Sequence, residues 1–192
     1  TTQKNGKQIL QNELKQYDLA LDDIQHLLNR EPQSAALHFE KGSICLRSGD
    51  TICALNAFNT ATEYDTQNPA NWSALGLVQL MLDRQDDALT SLSQSIEHGS
   101  KWAGDYINRG IIFYRRHNYR SALADYDKAV TLSPNDAQCY YNRGVLRQEL
   151  GDYNRALDDL TQAINLSPDQ IEIYYQRGIV QLQLRQWEDA IS

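Results

Sequence analysis

The chain has 192 residues, of which 41% are apolar and 22% are charged, and its formal net charge is −7. This composition is that of a folded chain, and the negative charge argues against nucleic acid as the main partner, because such binding needs a concentrated basic face. No apolar run approaches the roughly 18 residues that a membrane-spanning helix needs, so the sequence predicts no membrane span.

The chain contains three cysteines, Cys45, Cys53 and Cys139. Their number is odd and their spacing is not that of a CxxC motif, so the sequence predicts neither a disulfide framework nor a thiolate metal site. Each cysteine is expected to be a small buried residue. This usage favours a reducing, cytoplasmic location, although the sequence also allows a periplasmic or secreted one.

A glycine recurs at a constant spacing of 34 residues, and an alanine follows each glycine twelve positions later. The glycines are Gly42, Gly76, Gly110, Gly144 and Gly178, and the alanines are Ala54, Ala88, Ala122, Ala156 and Ala190. A glycine inside a helix costs roughly 1 kcal/mol relative to alanine, so its recurrence needs a packing reason. We predict that two antiparallel helices touch at each glycine and alanine, and that Gly144→Leu costs roughly 1–3 kcal/mol through overpacking.

This spacing divides the chain into five complete repeats and a partial sixth. Their predicted bounds are 1–34, 35–68, 69–102, 103–136, 137–170 and 171–192. In the five complete repeats, apolar residues at positions 10, 21 and 24 follow a helical period and predict two helices. A tight turn is predicted between these helices at Gly49-Asp50 and at Gly151-Asp152. Pro69 is expected at the first position of a helix, where its missing N–H costs nothing.

The first and last repeats depart from this pattern. Lys4, Lys7 and Gln8 replace the aromatic residue, leucine and glycine of the other repeats, so the first helix is expected to be short or frayed and residues 1–6 to be disordered. The sixth repeat is expected to stop at Ser192, midway through its second helix. A helical array normally ends in a helix with a polar outer face, and none follows, so the chain is interpreted as a fragment of a longer protein.

The repeat resembles the tetratricopeptide repeat, in which Trp, Leu-Gly, Tyr, Ala, Phe, Ala and Pro recur every 34 residues. The fit is best in residues 137–170, through Tyr140, Gly144, Tyr153, Ala156, Leu160, Ala163 and Pro168. Residues 103–136 match nearly as well, and residues 69–102 keep Trp72, Leu75 and Gly76. The resemblance covers essentially the whole chain. It implies an all-α, right-handed superhelical solenoid of antiparallel helix pairs.

No residue pattern favours catalysis, a cofactor or a metal ion. The four histidines fall at unrelated repeat positions, and none has a second ligand at metal-binding spacing. The acidic pairs Asp86-Asp87 and Asp158-Asp159 are interpreted as water-facing, and no nucleophile has a base beside it. The glycines are spread one per repeat, so they form no phosphate-binding loop. We therefore predict that this chain is not itself an enzyme.

An arginine precedes the glycine in the last three repeats, at Arg109, Arg143 and Arg177. Beside a helix contact such an arginine would be partly buried and would need a carboxylate. Asp125 and Asp159 lie sixteen residues after the first two arginines, whereas the second and third repeats, with Lys41 and Leu75 in the arginine position, carry Ala57 and Ser91 there. The sequence predicts Arg109–Asp125 and Arg143–Asp159 pairs within repeats, in preference to ligand-binding arginines.

The first helices of the tetratricopeptide repeats line a concave groove, so the resemblance implies that repeat positions 2, 5, 6, 9, 12 and 13 tend to face a partner. The residues expected there are Ile107, Asn108, Ile111, Tyr114, Tyr141, Asn142, Val145, Tyr175, Gln176 and Ile179. Tyrosine and aliphatic side chains with a line of amides suit an extended peptide, because amides can pair with peptide backbone. Two alternatives stay open: asparagine at this position is common in the family, and some of the apolar residues pack one repeat against the next.

One known subset of the family, the carboxylate clamp for the acidic tails of heat-shock chaperones, is not matched. No repeat from the second onward has lysine at position 5 or asparagine at position 9.

We predict a non-catalytic scaffold that binds a protein or peptide segment in its groove. We also predict that replacing Tyr141 and Tyr175 by alanine weakens binding while helicity persists. The alternatives are a regulatory or substrate-presenting region of a larger enzyme, and self-association through the apolar surface of the sixth repeat.

Overall fold

The computed structural model describes residues 15–185 in full, and it gives only the helical course of residues 2–14 and 186–191. Between residues 2 and 191 the helices are α1 Thr2–Leu28, α2 Ala35–Ser48, α3 Thr51–Tyr64, α4 Pro69–Met81, α5 Gln85–Glu97, α6 Ala103–Arg115, α7 Tyr119–Leu132, α8 Ala137–Glu149, α9 Tyr153–Leu166 and α10 Ile171–Ile191. In this part of the chain there is no strand, and no helix is both long and apolar enough to cross a membrane. The expectation of disorder in residues 1–6 lies outside the fully described residues.

Eight of these helices form four antiparallel pairs, α2–α3, α4–α5, α6–α7 and α8–α9, each joined by a short turn. The chain divides into two compact halves, residues 1–100 with α1 to α5 and residues 101–192 with α6 to α10. Pro69 stands at the start of α4, as expected. The prediction of an all-α fold of tandem helix pairs is confirmed.

Two consecutive residues build the turn within each pair. The first residue has a left-handed backbone, at Gly49 (φ 88°), Asp83 (φ 56°), His117 (φ 56°) and Gly151 (φ 76°). The second residue is the N-cap of the next helix, and in three of the four pairs its side chain caps that helix. The side chains of Asp50, Asn118 and Asp152 each accept a hydrogen bond from the backbone N–H three residues on. The two turns predicted from Gly-Asp dipeptides are therefore confirmed.

The first and last helices lack this turn, because at the turn positions their sequences have neither a residue that favours the left-handed backbone nor a preferred N-cap residue. Lys15-Gln16 and Arg185-Gln186 stand in the same repeat positions, and all four residues are good helix formers but not preferred caps. α1 and α10 therefore run straight through these positions. This corrects two expectations. The first repeat is one long helix, not a short first helix followed by a second, and α10 continues where a second helix was expected to begin.

Each packed glycine of the 34-residue series faces the residue sixteen positions later, not the alanine predicted to touch it. The pairs, with the distance from an added Cβ to the nearest atom, are Gly42–Phe58 (2.6 Å), Gly76–Leu92 (2.9 Å), Gly110–Tyr126 (2.6 Å) and Gly144–Leu160 (3.1 Å). The alanines from Ala54 to Ala156 are fully buried, so they belong to the interface without being the glycine's nearest contact. Gly178 differs, because no atom of the described residues lies within 4 Å of a Cβ added there.

The three cysteines are of two kinds. Cys45 of α2 and Cys53 of α3 form a disulfide within one helix pair, with their Cα atoms 5.7 Å apart. This corrects the expectation that all three are simple buried residues, which rested on the absence of a spacing motif. Cys139 is free and fully buried, and burial raises the pKa of its thiol to about 11.

We expect the native, non-reduced chain to show no thiol that reacts with Ellman's reagent near pH 8, about three units below the pKa of Cys139, because a buried protonated thiol is inert. Unfolding without reductant should expose one thiol per chain, and unfolding after reduction should expose three. A fast-reacting thiol in the native chain would contradict the burial of Cys139. Three thiols after non-reducing unfolding would contradict the disulfide.

Candidate interaction site

Two ion pairs join the helices of the C-terminal half. Arg109 donates from Nε and Nη2 to the Asp125 carboxylate at 2.9 and 2.8 Å, and Arg143 donates in the same way to Asp159 at 3.0 and 2.7 Å. Both carboxylates are buried. The hydrogen bond with Asp125 raises the pKa of Arg109. Both predicted pairs are confirmed, and their two-point geometry holds each guanidinium in one orientation.

The second pair belongs to a larger network that the sequence did not reveal. Arg147 donates from Nη1 to Asp159 at 2.8 Å, and Arg143 donates from Nη1 to Asp127 of α7 at 2.8 Å. Burial alone would lower the pKa of Arg143, but Asp159 and Asp127 outweigh burial and raise it. The network ties α8 to α9 and to α7, so it holds in position the helix that carries the central predicted groove residues.

A cavity of about 230 Å³ opens between α6 and α8, and we call it the α6–α8 pocket. It is lined by Ile111, Tyr114, Arg115, Tyr126, Tyr141, Asn142 and Val145. Five of the ten predicted groove residues therefore meet there. The pocket is smaller than the roughly 300–1,000 Å³ clefts that take small molecules. Its size suits one side chain of a larger partner.

Polar groups surround the apolar floor of the α6–α8 pocket. The side-chain oxygen of Asn142 accepts a hydrogen bond from Gln138 at 3.0 Å, whereas its buried Nδ2 has no partner among the described residues. Leaving a buried donor without a partner costs about 1–3 kcal/mol. A carbonyl oxygen delivered by a binding partner would remove this cost, so Asn142 is suited to hold peptide backbone.

The electrostatics of the pocket favour an acceptor-rich ligand. Burial, followed by the charge of Glu149 and the neighbouring Tyr119, raises the pKa of Tyr114, so its phenol stays neutral and can donate. Arg115 is exposed at the rim, and among the described residues no carboxylate lies within ion-pair distance of it. The pocket thus offers a phenol, an amide and a guanidinium as donors around apolar walls.

Two predicted groove residues of α6 lie outside the pocket, and two lining residues were not predicted. Ile107 is only 8% exposed, which corrects the expectation that it faces an open groove, and Asn108 is half-buried elsewhere on α6. Arg115 lines the pocket from repeat position 13, a position that the resemblance places on the groove, although Arg115 was not among the residues named there. Tyr126 lines the pocket and also packs on Gly110. Because it stands at a core position of the repeat, the sequence did not indicate that it would also face the pocket.

The predicted residues of α10 lie outside the α6–α8 pocket. Tyr175 is 71% exposed, and it lines an open depression of about 560 Å³ together with Ile179. Gln176 donates a hydrogen bond to Gln148 of α8, so its amide is already engaged. Tyr141 and Tyr175 were predicted as one surface, but they line separate cavities.

Tandem antiparallel helix pairs with packed glycines define an α-helical repeat protein. Residues 109–171 match the family model described as tetratricopeptide repeat. The recognition made from the sequence is confirmed by this match, and solved structures of tetratricopeptide-repeat proteins have the same fold. No group of three or more His, Cys, Asp or Glu among the described residues could hold a metal ion.

Solved structures of the same fold include MamA from Desulfovibrio magneticus RS-1, with a TM-score of 0.71 and 19% identity over 82% of this chain and 89% of that one. YrrB, a TPR protein with an unusual peptide-binding site, has a TM-score of 0.73 and 20% identity over 87% of this chain and 86% of its own. The STIP1 homolog of Dictyostelium discoideum is 24% identical over 109 residues, or 57% of this chain. The match covers only 19% of that relative's length.

Proposed function

We propose that the chain is a non-catalytic scaffold that binds an extended segment of a partner protein in the α6–α8 pocket. The tetratricopeptide-repeat fold supports a role in protein–protein interaction. The observation that carries the finer proposal is that Tyr114, Tyr141 and Asn142 surround one apolar cavity, with a buried amide donor that lacks a partner.

The pocket chemistry defines the kind of segment that would bind. An apolar side chain would fill the cavity between Ile111 and Val145, because the lining there offers only hydrocarbon. A backbone carbonyl would accept a hydrogen bond from Asn142, and an acidic residue beside the apolar one would pair with Arg115. The expected motif is a hydrophobic residue next to aspartate or glutamate.

Selection of a random peptide library against this chain tests the proposal directly. The selected peptides should be enriched in the apolar–acidic motif. Their affinity, measured by fluorescence anisotropy, should fall at least about tenfold for Tyr141→Ala and about threefold or more for Asn142→Ala. Tyr175→Ala is the matched control, because it is the same change outside the pocket, and it should leave the affinity unchanged.

Circular dichroism and thermal melting must accompany these measurements, because Tyr141 also packs against the buried cluster that contains Ile173. Asn142→Ala separates binding from folding, since it removes an amide and no buried hydrocarbon. Peptides that bind both pocket variants as tightly as wild type would show the proposal to be wrong. Weaker binding by Tyr175→Ala alone would move the site to α10.

A further inference from the structure

A second cavity shares Tyr141 with the α6–α8 pocket, and we call it the α8–α10 pocket. It has a volume of about 240 Å³, and it is lined by Gln138, Tyr141, Gln170, Glu172 and Ile173. Like the first cavity, it is smaller than the clefts that take small molecules, and it has the size for one side chain of a larger partner. Because Tyr141 borders both cavities, a segment bound in one of them passes directly beside the other.

The lining of the α8–α10 pocket combines an apolar wall with a polar rim. Ile173 is 1% exposed, and the half-buried Tyr141 packs against the buried cluster that contains it. Gln138, Gln170 and Glu172 are exposed around these two residues. Lysine and arginine lay their hydrocarbon stems on apolar surface and keep their charged ends in water, so a long basic side chain fits this arrangement.

The charge of the α8–α10 pocket also favours a basic side chain. Glu172 is the one charged residue of the lining, and among the described residues no basic group lies within ion-pair distance of it. Glu172 stands in the first turn of α10, but a helix N-terminus carries only about half an elementary charge, so the pocket stays negative. The equivalent residues of the second to fifth repeats are Ala36, Ala70, Gly104 and Gln138. The negative charge is therefore particular to this pocket and is not required by the fold.

A hydrogen bond connects the linings of the two pockets. Gln138 of the α8–α10 pocket donates from Nε2 to the side-chain oxygen of Asn142, which lines the α6–α8 pocket, at 3.0 Å. This bond occupies the Asn142 oxygen and leaves Nδ2 as the donor for a bound backbone. Side chains two residues apart in an extended segment point to the same side and lie about 6.5–7 Å from each other. A segment whose backbone is held at Asn142 therefore presents two such side chains to two neighbouring cavities.

We propose that the α8–α10 pocket binds a lysine or arginine of the same partner segment whose apolar residue fills the α6–α8 pocket, an inference that rests on the proposed function. The basic residue lies two positions from the apolar one. Its stem packs on Tyr141 and Ile173, and its charged end pairs with Glu172. Arg115 lines only the α6–α8 pocket, so the acidic and basic residues of the segment stand on opposite sides of the apolar residue. Along the groove the motif is an acidic residue, an apolar residue, any residue and a basic residue.

Parallel selections from one random peptide library, against wild type and against Glu172→Lys, test this inference. Peptides selected by wild type should be enriched in lysine or arginine two positions from the apolar residue. Peptides selected by Glu172→Lys should carry aspartate or glutamate at that position, because the variant reverses the charge of the α8–α10 pocket. Both sets should retain the apolar residue and its acidic neighbour, since the α6–α8 pocket is unchanged.

Fluorescence anisotropy measures the effect on single peptides. A labelled peptide from the wild-type selection should bind Glu172→Lys about tenfold more weakly, because repulsion replaces an attraction. The same peptide with glutamate in place of its basic residue should bind Glu172→Lys more tightly than it binds wild type. Asp158→Lys is the matched control, because it makes the same charge change at an exposed α9 residue that lines neither pocket. It should bind the selected peptide as tightly as wild type does.

The outcomes separate this inference from the proposed function. Peptides that bind Asn142→Ala more weakly but bind Glu172→Lys as tightly as wild type would overturn the inference and leave the proposed function standing. Equal weakening by Glu172→Lys and Asp158→Lys would also overturn the inference, because the effect would then come from the net charge of the chain. Peptides that bind Tyr141→Ala, Asn142→Ala and Glu172→Lys all as tightly as wild type would overturn both.

Discussion

Asp159→Asn should lower the free energy of unfolding by about 3 kcal/mol, because removing one partner of a buried ion pair leaves charge without compensation. The Asp159 carboxylate is 4% exposed and accepts hydrogen bonds from both Arg143 and Arg147. Asparagine keeps the shape of the side chain but removes the charge that both guanidiniums face. Urea unfolding followed by circular dichroism measures the loss, and hydrogen exchange in α8 and α9 locates it.

Asp158→Asn provides the control on the same helix. Asp158 is exposed, and the same change there should alter stability by no more than about 0.5 kcal/mol. If the two variants unfold alike, the network is not a stabilising element. Faster exchange confined to α9 in Asp159→Asn would show that α8, and with it Tyr141 and Asn142, is held by other contacts.

Gly144→Leu should destabilise the chain by about 3 kcal/mol, at the upper end of the overpacking range, because its neighbours cannot retreat. A Cβ on Gly144 would lie 3.1 Å from Cγ of Leu160 and 3.2 Å from Cβ of Asp159. Leu160 is fully buried, and two arginines hold Asp159. Chemical denaturation measures the loss, and it should not add simply to that of Asp159→Asn, because the two sites are in contact.

The matched variant is Gly178→Leu, at the equivalent position of α10. Since nothing in residues 15–185 lies within 4 Å of an added Cβ there, the substitution should raise helix stability by about 0.5–1 kcal/mol, the difference in propensity between glycine and leucine. Equal destabilisation at both glycines would mean that glycine is required by the helix itself. If Gly144→Leu lowers stability and Gly178→Leu raises it, glycine is required because a second helix packs closely against it.

Recurrence of residues in the sequence predicted the features that recur in the structure. The turns at Gly49-Asp50 and Gly151-Asp152 follow from local chemistry, since a left-handed residue and a capping carboxylate act within a few residues of each other. The Arg109–Asp125 pair could also be predicted from the sequence. An arginine and an aspartate occur together, sixteen residues apart, in this repeat and in the next one.

Features that depend on one repeat alone were missed. The disulfide between Cys45 and Cys53 has no counterpart in other repeats, so periodicity carried no sign of it. The burial of Ile107, at 8% exposure, depends on what surrounds α6 and not on its position in the helix. Lys15-Gln16 and Arg185-Gln186 differ in residue type from the dipeptides that form the other turns. That difference predicts the absence of a turn only once the structure has shown that a left-handed residue and an N-cap residue form the other turns.

The sequence by itself determined the helix pairs, their turns and the repeated ion pairs, because each depends on residues that a single helix or a single pair brings together. Only the tertiary structure decided which surfaces those pairs leave open. It grouped Tyr114, Tyr141 and Asn142 around one cavity, and it placed Tyr175 at a separate one. The physical reason is that exposure belongs to the whole packed chain. A residue at a groove position is open only if no neighbouring helix covers it.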